Sequence, residues 1–402
     1  MRSLLVQEHS LAHRERFNFG DFQSGGVPVD ARVAIVHDWL PLYGGAERVL
    51  EQLIHLYPNA ELFSMIDAIP PGQRGFLQNK PVRTSMVQRL PFGTRFYRNY
   101  LPIMPMAVEQ FVLRGFDLVI SSSYAVAKGV ITGPQQLHIC YCHTPIRYAW
   151  DLQTQYLEET GLNHGVKGWV TKALLHYIRQ WDLRSASGVD VFVANSNFVR
   201  KRIQKIYRRE STVIHPPVDV DSFCVSESKE DFYLAVSRLV PYKKIDLIVD
   251  AFSRMPDRRL KVVGDGPNFK KLKKIAGSNV EMLGYQDEET LIDLMQRTKA
   301  LVFAAEEDFG IVPVEAQACG TPVIGYGKGG LLETVVPGQT GLFFKEQSVP
   351  SLCEAIDRFE NGHFEMDPSV IRRNAMRFSV QNFRQKFRSF VDTTWKRFQE
   401  AP

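Results

Sequence analysis

The sequence predicts an α/β protein made of two doubly wound halves that face each other across a cleft. Three observations predict it. Short apolar runs bounded by turn residues alternate with helical patterns, as in parallel sheets covered on both faces. The series is interrupted by the stiff segment His215-Pro216-Pro217-Val218-Asp219, and a second series starts beyond it. At 402 residues the chain is long enough for two domains of ordinary size.

The elements follow in order. Arg32-Val33-Ala34-Ile35-Val36-His37 is the first buried-strand pattern; Gly44-Gly45 and a helical pattern over residues 46–55 come next. Residues 116–120, 137–141 and 189–194 are the clearest further strands of the first half. In the second half, strands are expected over 232–237, 259–263, 280–284, 300–304 and 322–325, with a helix over 245–255. Residues 380–398 have helical spacing and an aromatic stripe of Phe383, Phe387, Phe390, Trp395 and Phe398. The expected organisation is a polar lead-in over 1–31, a first domain over 32–214, a linker over 215–223, a second domain over 224–379, and a last helix over 380–402 that crosses back to the first domain.

Composition narrows the function classes. With 44% hydrophobic and 23% charged residues, the chain reads as an ordinary folded protein. A net charge of +5 is too weakly basic to argue for nucleic acid. The five cysteines are odd in number and lack framework spacing, which suggests reduced thiols and a cytosolic setting. Cys140 and Cys142 are expected on opposite faces of a strand, which speaks against a shared metal. No apolar run approaches the roughly 20 residues that span a bilayer. The start, Met1-Arg2-Ser3-Leu4-Leu5-Val6, lacks a sufficient apolar core for a signal peptide.

The chemistry concentrates in the second half. The strand over 300–304 runs into Glu307-Asp308-Phe309-Gly310-Ile311-Val312-Pro313-Val314-Glu315. Pro313 suits the first position of a short helix, and Gly320 suits its end. Such a helix points free N–H groups at the C-terminal edge of the sheet, where open α/β sheets bind ligands and where a phosphate is attracted. The two glutamates, with seven residues between them, could hold sugar hydroxyls; a helix-stabilising carboxylate or a two-carboxylate hydrolase remain open on spacing alone. Arg238 and Lys243 follow the strand ending at Ser237. Two cations there could neutralise a departing diphosphate in place of a metal ion; a solvated basic loop is the plainer alternative.

In the first half, Gly44-Gly45 opens a helix after a strand, and glycines there let backbone approach a ligand. The pair does not match G-x-G-x-x-G, which speaks against a nicotinamide cofactor. His143 follows a strand and faces the same cleft, either as a structural histidine or as a group touching a sugar hydroxyl. Asp219-Val220-Asp221 resembles a short metal-binding pattern, but its place in the linker favours a turn or helix cap. Residues 74–114 mix seven Lys and Arg with aromatic residues and hold one acid, Glu109. That mixture suits an anionic membrane surface, and no stacking module for nucleic acid is recognisable.

Taken together, these segments resemble the retaining glycosyltransferases of family 4, which have the GT-B fold. The resemblance covers residues 32–400. Glu307 to Glu315 is similar to the E-x7-E motif, Arg238 to Lys243 to the phosphate-binding segment, and Gly44-Gly45 to the glycine turn of the first domain. Ala194-Asn195-Ser196, the turn from Val263 to Pro267, and Ala318-Cys319-Gly320-Thr321-Pro322 are further landmarks. Cys142-His143-Thr144-Pro145-Ile146-Arg147-Tyr148-Ala149-Trp150-Asp151 resembles a narrower subgroup of bacterial mannosyltransferases in O-antigen and exopolysaccharide assembly.

The resemblance implies a set of roles. Arg238 and Lys243 grip the donor diphosphate, Glu315 holds the ribose, and Glu307 contacts the transferred sugar together with backbone N–H groups near Phe309, Gly310 and Ile311. His143 contacts the sugar from the acceptor side. Gly45 and Gly266 approach the donor. It also implies GDP-mannose as donor, a lipid-linked oligosaccharide as acceptor, no cofactor or metal, and a cytoplasmic enzyme peripheral to the inner face of the cytoplasmic membrane. The alternatives are another nucleotide-sugar donor, a GT-B nucleotide-sugar epimerase, and a non-catalytic nucleotide-sugar-binding scaffold.

Overall fold

The computed structural model describes residues 26–226, 228–362, 364 and 366–400. Residues 1–25, most of the expected lead-in, lie outside the described residues. The first sheet has seven parallel strands in the order β3-β2-β1-β4-β5-β6-β7. These are β1 (Val33–His37), β2 (Glu61–Ser64), β3 (Val82–Thr84), β4 (Leu118–Ser123), β5 (Leu137–Cys142), β6 (Val191–Ala194) and β7 (Ser211–Val213). Helices α1 (Gly45–Leu56), α2 (Gln153–Glu159), α3 (Gly165–Ser185) and α4 (Asn197–Tyr207) belong to this half.

The second sheet has six parallel strands in the order β10-β9-β8-β11-β12-β13. They are β8 (Tyr233–Val236), β9 (Leu260–Val263), β10 (Val280–Gly284), β11 (Ala300–Phe303), β12 (Val323–Tyr326) and β13 (Gly341–Phe344). Helix α5 (Ile311–Ala318) and the short α6 (Leu331–Thr334) follow β11 and β12, and α7 (Val380–Glu400) comes last among the described residues.

Both sheets are apolar on both faces, because successive strand side chains alternate. In β1, Val33 and Ile35 enter one core and Ala34 and Val36 another. In β8, Tyr233 and Ala235 face one core and Leu234 the other. The same rule corrects the expectation for the cysteines. Residues two apart on a strand share a face, and Cys140 and Cys142 are buried together in one cluster with Phe192 and Ile203.

The strands missed by the sequence reading are the edge or near-edge strands β2, β3, β7 and β13, each three or four residues long. Too few apolar residues fall in β2, β3 and β7 to form a run. Helix α7 packs Phe383, Phe387, Val391 and Trp395 into the core of the first half, against Ile35, Leu53 and Tyr141. The outgoing and returning chain segments meet side by side: the Val218 N–H donates to the Phe378 carbonyl at 2.9 Å. No helix among the described residues is long and apolar enough to cross a membrane.

Candidate active site

A cavity of about 750 Å3 opens between the C-terminal edges of the two sheets. It is lined by Gly45, His143, Arg238, Lys243, Glu307, Phe309, Gly310, Ile311 and Glu315. The two cations and two glutamates singled out from sequence thus share one opening. Gly266 does not line it. Its turn packs behind the Arg238 loop, with the Leu239 N–H donating to the Asp265 carbonyl at 2.9 Å. A Cβ at neighbouring Gly264, where φ is +136°, would meet the Ser237 carbonyl at 1.8 Å, so only glycine lets β9 and the loop after β8 approach this closely.

In the second half, Glu307, Asp308 and Phe309 form the turn between β11 and α5. Gly310 takes φ +88° as the residue capping α5. Pro313 is the third residue of that helix rather than the first, still within the turn where a missing N–H costs no bond. Gly320, at φ +69°, stands just past its end, as expected. The Gly330 N–H holds the Glu307 carbonyl at 2.8 Å and fixes the turn from below. The Lys243 ammonium donates to the Glu307 carboxylate. Burial and the nearby Arg238 push this ammonium down to about 8, with Asp308 pulling the other way. Arg238 makes no ion pair among the described residues.

On the other half, His143 follows β5 and is 9% exposed. Its Nε2 lies 2.8 Å from Ser122 Oγ, which lies 3.0 Å from His37 Nδ1; His37 Nε2 lies 3.3 Å from Glu47 Oε1. A carboxylate only accepts, so around a neutral His37 the hydrogens in this chain are ordered. His37 donates to Glu47, Ser122 donates to His37, and His143 Nε2–H donates to Ser122. His143 Nδ1 remains an acceptor with no hydrogen-bond partner among the described residues. Burial pushes the imidazole down to about 3, so it is neutral at neutral pH. Asp38 anchors the adjacent loop by accepting from the backbone N–H groups of Tyr124, Ala125, Val126 and Ala127 at 2.5–2.8 Å, and Tyr124 thereby lines the cavity.

The two halves also bind each other at the cavity. Arg48 of α1 donates to Glu315 of α5 at 2.6 Å. Arg147 stands 3.6 Å from Asp308, and Arg202 donates to the same carboxylate while pairing with Asp151 at 3.0 Å. Glu333 of α6 accepts from the backbone N–H groups of Asn197 and Phe198 at 3.0 and 3.1 Å, capping α4 from the opposite half, and lies 2.9 Å from His215 Nε2. Sequence reasoning missed Arg48, Arg202 and Glu333 as participants. Arg48 is signalled only by its place one turn into a helix opened by Gly44-Gly45. The others carry no local pattern.

Asp219-Val220-Asp221 lies away from the cavity lining. Asp219 accepts from the Ser222 hydroxyl at 2.6 Å and Asp221 from Gln381 at 2.9 Å, as expected of a turn. In the 74–114 segment, Arg74 and Arg83 are paired with Asp67 and Glu61, while Phe92 and Phe96 are exposed.

Comparison with known proteins bears on both halves. Residues 43–222 match the family described as Glycosyltransferase Family 4, and residues 221–377 match Glycosyl transferases group 1. The chain is 30% identical over 172 residues to an uncharacterized glycosyltransferase of Methanocaldococcus jannaschii, covering 42% of this chain and 48% of that protein. It is 29% identical over 240 residues to a GDP-mannose-dependent monoacylated alpha-(1-6)-phosphatidylinositol monomannoside mannosyltransferase of Corynebacterium glutamicum, covering 52% and 60%. The chain spans about half the length of the curated relatives it matches. Its fold is similar to that of HepE from Anabaena, solved with UDP, with a TM-score of 0.67 at 19% identity, over 90% of this chain and all of that one.

Proposed function

Starting from a chain of the GT-B fold, in which a family 4 domain is followed by a group 1 domain, we propose that the protein is a retaining glycosyltransferase. It moves mannose from GDP-mannose to a lipid-linked saccharide in polysaccharide or O-antigen assembly. The observation that carries this reading is the convergence of Arg238, Lys243, Glu307 and Glu315 on one cavity between two doubly wound sheets. The mannose donor is supported by the sequence around His143 and by the GDP-mannose dependence of the Corynebacterium relative.

In this reading the donor enters by replacing internal ion pairs. Its diphosphate takes Lys243 from Glu307, and its ribose takes Glu315 from Arg48. The diphosphate then lies against Arg238, Lys243 and the N–H groups that open α5, where cations and the helix start favour negative charge. The acceptor hydroxyl attacks the anomeric carbon on the face the leaving group occupies. The bond from that carbon to the diphosphate oxygen breaks, and a diphosphate oxygen takes the hydroxyl proton. Charge developing on the departing diphosphate is met by groups already in place. Glu307, released from Lys243, accepts from hydroxyls of the transferred sugar, and His143 Nδ1 accepts one more. Residues 74–114 rest on an anionic membrane that presents the acceptor.

The test is transfer itself. Purified protein, labelled GDP-mannose and membrane lipid extract should give a labelled lipid product, and Lys243→Ala and Glu307→Ala should each lower the rate by about 100-fold or more. A thermal-shift panel of GDP-, UDP- and ADP-sugars identifies the donor. Absence of product with every donor defeats the proposal, and sugar isomerised without acceptor would make the protein an epimerase.

A further inference from the structure

Helix α3 (Gly165–Ser185) carries apolar side chains on two opposite faces. At about 100° per residue, its inner face presents Gly168, Leu175, Ile178 and Asp182, all buried. Leu175 and Ile178 pack on Ile146, Ala149 and Leu157. The opposite arc holds Val166, Trp169, Val170, Ala173, Leu174 and Tyr177, all exposed. Val166 is 80% and Trp169 72% exposed, which leaves a contiguous stripe, rather than isolated residues, facing outward. Lys167 and Lys172 stand on the two shoulders of this stripe, and no Asp or Glu occurs between Thr160 and Trp181.

We infer that the outer face of α3 lies in the headgroup layer of an anionic lipid bilayer. This rests on the lipid-linked acceptor proposed above and adds a helical apolar face beside the basic segment 74–114, whose Phe92 and Phe96 are exposed as well. Charge decides the occupant. A self-associating face would set Lys167 and Lys172 against their own copies, whereas an anionic surface neutralises them while the tryptophan and valines enter the acyl boundary. Position agrees. Trp181 and Arg184, at the end of α3, donate to Glu109 of the 74–114 segment at 2.8 and 3.0 Å, so the helix and that segment adjoin. Leu157 of α2 packs under α3, while Leu152, Gln155 and Tyr156 line the cavity, so a single layer of structure separates the stripe from the cleft.

The experiment uses the full chain and vesicles of phosphatidylcholine alone or mixed with phosphatidylglycerol, without any sugar donor, so its outcome is independent of whether transfer occurs. Wild type should sediment with the mixed vesicles and be released by salt. The triple change Val166→Glu, Trp169→Glu, Val170→Glu should lower vesicle partitioning by about tenfold or more. Tyr285→Glu, on an equally exposed residue of the other half, should not. Brominated lipid should quench wild-type tryptophan emission, and Trp169→Phe should abolish that quenching, a readout that stands even if the triple variant fails to fold. Wild type remaining in the supernatant overturns the inference. So does quenching unchanged in Trp169→Phe, or a wild-type dimer in solution that the triple variant dissolves.

Discussion

His143 has one ring nitrogen committed to Ser122 and the other open to the cleft, and this division follows from a glutamate two hydrogen bonds further back. Ser122→Ala removes the middle of that chain and frees the imidazole to turn or change tautomer. Its expected effect is a fall in kcat of about 3- to 10-fold, the worth of one hydrogen bond, with the donor KM nearly unchanged. An unchanged kcat would show that the chain does not orient the ring. At Lys243 the depressed ammonium has a kinetic consequence. The cation is present below about 8 and lost above it, so kcat/KM should decline on the alkaline side near that value, well before an ordinary lysine would titrate. Lys243→Arg, which stays charged, should retain some activity and abolish the decline. A decline that persists in the arginine variant assigns it to another group. His143 itself was visible in the sequence as a residue at a strand end. Ser122 and His37 were not, since they come from other strands, 85 residues apart from each other.

At the scale of elements, the central strands were legible because both faces are buried and the apolar run is continuous. Strands β2, β3 and β7 were not, because a three- or four-residue strand with a polar end has no period to detect, whereas the five-residue edge strand β10 was. The start of α5 was misplaced because Pro313 suggested a first position, whereas Gly310 at φ +88° sets the boundary earlier. Helix α4 depends on a partner no local pattern announces. Burial opposes ionisation of Glu333, but hydrogen bonds from His215, Asn197 and Phe198 prevail and hold its carboxyl below the usual value. The stabilisation is therefore complete above about 4.5, the ordinary glutamate value, and is lost as pH falls through the lower folded value. Glu333→Ala should cost about 1–2 kcal/mol and lower the melting temperature by a few degrees at neutral pH. The difference from wild type should shrink in acid. A difference that grows in acid would contradict this account.

At the scale of the whole molecule, the cleft was legible because its walls come from motif segments at sheet edges, and each segment could be placed on its own strand. The ion pairs that cross the cleft were not, since Arg48–Glu315 and Arg202–Asp308 join residues whose proximity depends on how the two halves meet. The crossing of α7 has a different consequence. The chain leaves the first half once, near Val218, and returns at Ser379, where the two passages are bridged. The second half is therefore a cassette spliced into a host whose helix α7 is supplied only after the insert is complete. During synthesis the second half can close on its own residues, while the first half waits for Phe383, Phe387 and Trp395 to emerge before its core is whole.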